Sequence, residues 1–370
     1  MTGNGLCSRM DMLSNDKSSD GGFGMLKMKE AIIKLLEGRD LTESEARSVM
    51  ILVMRGEASA AQTASLLTAL HMKGETVGEI AGCALAVREL AKPVCPQRKD
   101  LVDISGTGGD RTGTFNISTT AAFVVAGAGV GVAKHGARSV SSHCGSADLL
   151  ERLGVNQRLS PEQVALCIDE VGIGFLFAPR LHPAMHYAEE TRREIGVRTI
   201  LDILGPLTNP AGATSQVLGV YAGSLTEPLA YVLAILGCHS AYVVYGSDGL
   251  DELSTTGVNK VSSLYDGNVT TFALDAVELG LARAEVSDLL GGLPEENAKI
   301  TRAILGGEKG AQRDVAVLNA AATLVVSGHA TSLLEAISIS QEAIDSGSAE
   351  RKLEELIQLT QGMSGGPSLS

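Results

Sequence analysis

Apolar positions in residues 25–92 recur with the period of a helix, with polar residues filling the gaps. In LKMKEAIIKLLEG, Ile32, Ile33, Leu35 and Leu36 fall together and predict a helix with one buried side. Three further apolar runs each follow a hydroxyl residue with Glu or Gln three places on: Thr42 with Glu45, Ser59 with Gln62, Thr76 with Glu79. In such a capping box the hydroxyl accepts from a free first-turn N–H and the longer side chain reaches back. The pattern predicts three or four short helices, ended by the prolines of KPVCP.

After Asp100 the pattern changes. LVDIS reads as a buried strand, STTAAFVVAGAG as a helix, VGVAKHG as the next strand and SADLLERLG as the next helix. Ser160-Pro161 starts another helix, with Pro in its first turn. SQVLGVYAG, AYVVYGSDG and KVSSLYDGNVTTFAL supply later strands, the last a hairpin turning at Asp266-Gly267. Alternating strands and helices predict an α/β fold with a mostly parallel sheet beside a small all-helical domain. Residues 178–204 read as a helical insert belonging with the N-terminal helices. The expected division is a small helical domain of 25–98 with 178–204 and an α/β domain of 99–177 with 205–362. Residues 1–24 and 363–370, polar and rich in Gly and Ser, read as flexible tails.

Composition narrows the function. The chain has 370 residues, 44% hydrophobic, enough for more than one core. Aromatics are 3% and Trp is absent, so Ala, Leu, Val and Ile must fill those cores. A net charge of −13 argues against a basic face for nucleic acid. Cys7, Cys83, Cys95, Cys144, Cys167 and Cys238 include no CxxC pair and read as free thiols of a cytoplasmic protein. Neither a signal peptide nor a membrane span is expected.

The chemistry gathers after the strands. In DISGTGGD, Gly106, Gly108 and Gly109 bring backbone N–H groups close enough to form an anion nest. Asp110 suits a ribose hydroxyl or a cation. Asn116, Ser118 and Thr119 add neutral polar groups, and the Ser118 hydroxyl is a candidate Mg²⁺ ligand. The turn lacks the GK[ST] of a nucleotide P-loop and is not a GxGxxG; alone it is equally a plain strand-to-helix connection. Lys134 ends a strand, where parallel sheets bind ligands, although a lone lysine is commonly just solvated. Ser141 and Ser142 follow as hydroxyl donors. In GSDGLDE, Asp248, Asp251 and Glu252 form either an acidic turn or half of a Mg²⁺ site completed by substrate phosphates.

GTGGD, NIST, KHG, SSxxGSAD, RREIGVRT, LGPLTNP, GSDGLDE and GGLPEENA occur in the order found in anthranilate phosphoribosyltransferases, and the chain resembles that family from about residue 26 to 362. The resemblance implies transfer of phosphoribose from 5-phosphoribosyl 1-pyrophosphate to anthranilate in tryptophan biosynthesis, with Mg²⁺, in a homodimer formed through the helical domain. It implies a donor site of Gly106, Gly108, Gly109, Asp110, Thr114, Asn116, Ser118, Thr119, Lys134 and Ser142. Ser118, Asp251 and Glu252 would hold Mg²⁺. On the acceptor side it implies Gly106, His135, Ala137, Ala178, Pro179, His182, Gly205 and Pro206, with Arg192 on the anthranilate carboxylate.

The chain departs from the family pattern mainly on the acceptor side. KHGNR becomes KHGAR, so Ala137 replaces an Asn that touches the acceptor. RTIFN becomes RTILD, with Leu201 and Asp202, and the Lys-Ser of SSKSGSAD becomes His143-Cys144. Three readings stay open: an anthranilate enzyme with a weakened acceptor site, a paralogue ribosylating another aromatic amine or acid, and a degenerate copy. Two other classes share the fold: a nucleoside phosphorylase and a non-enzymatic nucleic-acid-binding relative.

Overall fold

The structure, a computed structural model, describes residues 27–110, 112–139 and 143–363. It divides into two compact units. One comprises the residues up to Cys95 with Pro179–Gly212; the other comprises Pro96–Ala178 and everything from Ala213 onward.

The first unit is helical. Its helices Met28–Leu36, Glu43–Met54, Ala60–Lys73 and Val77–Glu89 are joined later in the chain by His186–Ile195 and Leu201–Leu207. All three predicted capping boxes form, at Thr42, Ser59 and Thr76. Glu79 does more than cap. Fully buried, it accepts from the Leu41 N–H at 2.9 Å and pairs with Lys73 at 2.9 Å. Gly82 lets two helices touch, because a Cβ there would run into the Glu43 carbonyl. The first helix departs from expectation. Met28, Ala31 and Leu35 form its buried side, while Ile33 and Leu36 face solvent. The i, i+4 pair Ala31/Leu35 packs inward, and the second apolar arc is exposed.

The second unit is built on one sheet. Among the described residues it has seven strands: β1 (Leu101–Gly106), β2 (Gly131–Gly136), β3 (Ile173–Phe177), β4 (Ser215–Gly219), β5 (Ser240–Gly246), β6 (Val258–Tyr265) and β7 (Asn268–Asp275). Their order is β3-β2-β1-β4-β5-β6-β7. The first five strands run parallel, and β6 pairs antiparallel with both β5 and β7. Asp266 (φ 44°) and Gly267 (φ 82°) make the expected hairpin turn. β3 was not expected; its run IGFLF follows the helix Pro161–Val171 directly.

The chain leaves β1 toward β2 and β3, then returns to the other side of β1 with β4 and β5. The switch point therefore lies between β1 and β4, and such sheets bind ligands beyond the carboxyl ends of the strands there. No helix among the described residues is long and apolar enough to cross a membrane. Cys83, Cys144, Cys167 and Cys238 are buried free thiols, whereas Cys95 is disulfide-bonded, against the expectation of free thiols throughout. Cys7 lies outside the described residues.

Candidate active site

Gly106 and Gly219 are register partners at the carboxyl ends of β1 and β4. Neither has room for a side chain. A Cβ on Gly106 would come within 2.8 Å of the Asp251 carboxyl carbon, and one on Gly219 would enter the Asp251 carbonyl. The two glycines thus let the loop after β5 lie across the switch point. That loop is clamped. Asn319 accepts from the Leu253 N–H at 3.0 Å and donates to its carbonyl at 2.8 Å. Asn259 accepts from the Ser254 N–H at 2.7 Å, and Asp248 accepts from the Ser254 hydroxyl at 2.6 Å. Asp248 is therefore a brace within its own turn.

The clamp delivers Asp251 and Glu252, each 8% exposed. The Gly108 N–H donates to Asp251 Oδ2 at 2.6 Å, and the Ser118 N–H donates to Glu252 Oε1 at 3.1 Å. Ser118 lies in the first turn of the helix Ile117–Gly127, so Glu252 sits at a positive helix end. Lys134 is buried in β2 and donates to the Ile104 carbonyl at 2.6 Å and to Ser118 Oγ at 3.4 Å. Asp110 accepts from the Thr112 hydroxyl at 2.6 Å and stands beside Asp251. Gly106, Gly108, Asp110, Ser118, Lys134, Asp251 and Glu252 are thereby linked into one cluster.

Its electrostatics are unusual. Burial raises the Asp251 carboxyl to about 7, and the Asp110 charge pushes it the same way. Burial and then the Asp251 charge raise Glu252 to about 8, against the pull of Lys134. Burial pushes the Lys134 ammonium below its usual range, opposed by Asp103, Glu252 and Asp251. Two adjacent buried carboxyls that resist ionisation are a poor arrangement without a cation and a good one with it. Among the described residues no group of three or more His, Cys, Asp and Glu is arranged to hold a metal alone. Two carboxylates and a hydroxyl leave coordination positions for water and phosphate oxygens, which suits Mg²⁺.

The other expected donor residues are spread around this cluster. Gly108 and Gly109 have φ of 73° and 77°, where a side chain is strained. The Gly108 N–H is already taken by Asp251, so it reaches an anion only by giving that bond up. Asn116 donates to the Cys144 carbonyl at 3.0 Å and accepts from Asn297 at 2.9 Å. Thr119 is buried, and Thr114 makes an isolated bridge with Leu290. Ser142 lies outside the described residues, as does Ser141.

Of the expected acceptor residues, His135 is buried and its backbone N–H donates to Asp103 Oδ1 at 3.2 Å. Ala137 is exposed, and its carbonyl accepts from the Ser146 hydroxyl at 3.2 Å. Ala178 and Pro179 open the short helix Ala178–Leu181. In the helical unit His182 is buried, and its imidazole is lowered to about 4, by burial first and then by the Arg88 charge. Gly205 and Pro206 lie in the helix Leu201–Leu207. Arg192 donates to Asp202 Oδ1 at 2.7 Å.

Three residues that shape this cluster or its surroundings do not stand out in the sequence. Asp103 is fully buried beneath Lys134 and His135; a carboxylate inside the otherwise apolar LVDIS was its available signal. Gly219 acts only through its pairing with Gly106. Asn297, in GGLPEENA, orients Asn116.

Residues 98–350 match the glycosyl transferase family, a/b domain, and residues 29–91 match the glycosyl transferase family, helical bundle domain. The chain is 52% identical over 330 residues to the anthranilate phosphoribosyltransferase of Moorella thermoacetica, covering 89% of this chain and 97% of the relative. Identity to that of Pelotomaculum thermopropionicum is 55% over 339 residues, covering 92% and 98%. Among solved structures, the anthranilate phosphoribosyltransferase of Thermus thermophilus superposes with a TM-score of 0.86 at 45% identity, covering 90% of this chain and 99% of that one. That of Saccharomyces cerevisiae in complex with PRPP and Mg superposes with a TM-score of 0.83 at 28% identity, covering 91% and 98%.

Proposed function

Because the chain belongs to the anthranilate phosphoribosyltransferase family, we propose that it transfers phosphoribose from 5-phosphoribosyl 1-pyrophosphate to the amine of anthranilate, releasing pyrophosphate, as a step of tryptophan biosynthesis. The observation that carries this reading is the carboxylate pair Asp251-Glu252, clamped at the switch point beside Lys134 and the Gly106–Gly109 turn. Asp251, Glu252 and the Ser118 hydroxyl would hold Mg²⁺, which when bound supplies positive charge to the pyrophosphate oxygens.

The reaction breaks the bond between ribose C1 and the pyrophosphate oxygen while the acceptor nitrogen bonds to C1 and gives up one of its protons to the released pyrophosphate or to water. Positive charge develops on the sugar and negative charge on the leaving group. Lys134, held in β2, and the N–H groups at the Gly turn offset the leaving charge, the Gly108 N–H once it gives up its bond to Asp251. Asp110 suits a ribose hydroxyl. The aromatic amine is a nucleophile already at neutral pH, so in-line placement is what the protein supplies. Arg192 is assigned to the acceptor carboxylate, with Ala137, His135, Ala178, Pro179, His182, Gly205 and Pro206 to the acceptor's surroundings. A homodimer is part of the same reading.

The test is a pyrophosphate-release assay with donor, Mg²⁺ and a panel of aromatic amines and acids. Release that depends on anthranilate is expected. No release with any panel member, together with phosphate-dependent cleavage of a nucleoside, would replace this reading with a phosphorylase.

A further inference from the structure

Arg192 does not present an uncommitted charge. It sits in the last turn of the helix His186–Ile195, and its guanidinium donates to Asp202 Oδ1 at 2.7 Å. Asp202 is not a loose partner. Its other oxygen accepts from the Thr199 N–H at 2.8 Å, and its own N–H donates to the Thr199 carbonyl at 3.0 Å. It lies in the first turn of the helix Leu201–Leu207, with Thr199 buried behind it. Both ends of the carboxylate are therefore held. The pair is partly open, the side chains being 32% and 21% exposed, so an incoming anion can reach the guanidinium and meets the Asp202 charge there.

We infer that Asp202 is a specificity-determining residue: an internal counter-ion that occupies Arg192 and weakens the enzyme's hold on the carboxylate of its acceptor. This rests on the reading that Arg192 receives that carboxylate. A neutral amide at position 202 has one acceptor oxygen, for either Arg192 or the Thr199 N–H, and in both cases leaves the full Arg192 charge to the substrate. The ionised carboxylate cancels that charge and repels a second carboxylate. An aromatic amine with a neutral group in place of the carboxylate escapes the penalty. Asp202 thus moves preference away from anionic acceptors relative to a chain with Asn there.

The test compares Asp202→Asn with the unaltered protein, using anthranilate and its neutral amide, 2-aminobenzamide, at saturating donor and Mg²⁺. The expected result is a KM for anthranilate lower by about 3- to 10-fold, as suits a charge-assisted contact on a partly exposed pair. The KM for 2-aminobenzamide and for the donor should change little, and added salt should narrow the anthranilate difference. Asp202→Ser, which also removes the charge and keeps a short acceptor for the Thr199 N–H, should repeat the effect if Asp202→Asn folds poorly. An unchanged anthranilate KM in a folded variant overturns the inference. A raised KM also overturns it and makes Asp202 a positioning residue for Arg192. No pyrophosphate release from either protein with anthranilate overturns the functional reading itself.

Discussion

Gly106 and Gly219 face each other in register at the ends of two neighbouring parallel strands, and Asp251 occupies the space their side chains would need. The empty positions on one pair of strands thus set the position of a carboxylate that arrives from a third. Gly219→Ala should displace the Asp251 backbone, because the added carbon enters its carbonyl. We expect turnover to fall about 100-fold or more. The melting temperature should fall only by the amount usual for a local overpacking of about 1–3 kcal/mol. Pyrophosphate release and thermal melting on one preparation would check this; normal turnover in the variant would show that the glycine pair serves the sheet alone.

Asp251→Ala and Glu252→Ala should each lower turnover about 100-fold or more, a few kcal/mol of lost transition-state stabilisation. The apo variants should not lose stability in proportion. Each removes a buried group whose ionisation the fold opposes. Turnover measured against Mg²⁺ concentration is the check, and a near-normal rate at ordinary Mg²⁺ in either variant would remove the pair from the mechanism.

His182 gives the helical unit a pH dependence of definite sign. Its folded value of about 4 lies below the usual 6.5. Between those values the unfolded chain binds a proton that the folded chain does not, so stability falls as pH drops through 6.5 toward 4. At pH 5 this amounts to about 2 kcal/mol relative to pH 7.5. Urea unfolding of the unaltered protein and of His182→Phe at both pH values is the measurement. The variant should show the smaller loss on acidification; equal losses in both would assign the slope to other groups.

What was readable in the chain depended on distance. The capping boxes at Thr42, Ser59 and Thr76 formed because each is closed by a residue three places away. The Asp266-Gly267 turn needs only two positive φ values. By contrast, β3 is five apolar residues directly after a helix, and periodicity cannot separate so short a run from the helix end. Ile33 and Leu36 were placed with the core side because a helix with two apolar arcs does not say which faces inward. Asp251 and Glu252 stood out as neighbours in sequence, but their setting did not. It is made by Gly106, Gly219, Ser118 and Asn319, from four separate elements. The Arg192–Asp202 pair could not be read from either residue, since ten positions separate them and a turn between two helices brings them together.

The helical unit exposes several large apolar side chains. Leu36 is 73% and Met72 81% exposed, and Ile33 and Tyr187 are also open. They lie on the helices Met28–Leu36, Ala60–Lys73 and His186–Ile195, the first and last of which each pack on the second. Such a surface suits a self-complementary contact with a second copy. Light scattering at micromolar concentration should give twice the chain mass, and Leu36→Asp combined with Met72→Glu should give the monomer. A monomeric unaltered protein would refute the dimer.

Ala137→Asn tests the proposed acceptor role of position 137. Ala137 is exposed, and its backbone is fixed by the bonds from Ala147 N–H and the Ser146 hydroxyl to its carbonyl, both at 3.2 Å. An amide side chain therefore starts from an exposed position on a held backbone. One restored neutral hydrogen bond is worth about 0.5–1.5 kcal/mol. The KM for anthranilate should then fall about 2- to 13-fold, while the KM for 5-phosphoribosyl 1-pyrophosphate stays nearly unchanged, because Asp251, Glu252 and Lys134 are untouched. Steady-state kinetics on Ala137→Asn and the unaltered protein decide it. If Ala137→Asn instead abolishes turnover of an acceptor that the unaltered protein uses well, the small side chain is there to admit a bulkier ring, and anthranilate is not the acceptor this chain prefers.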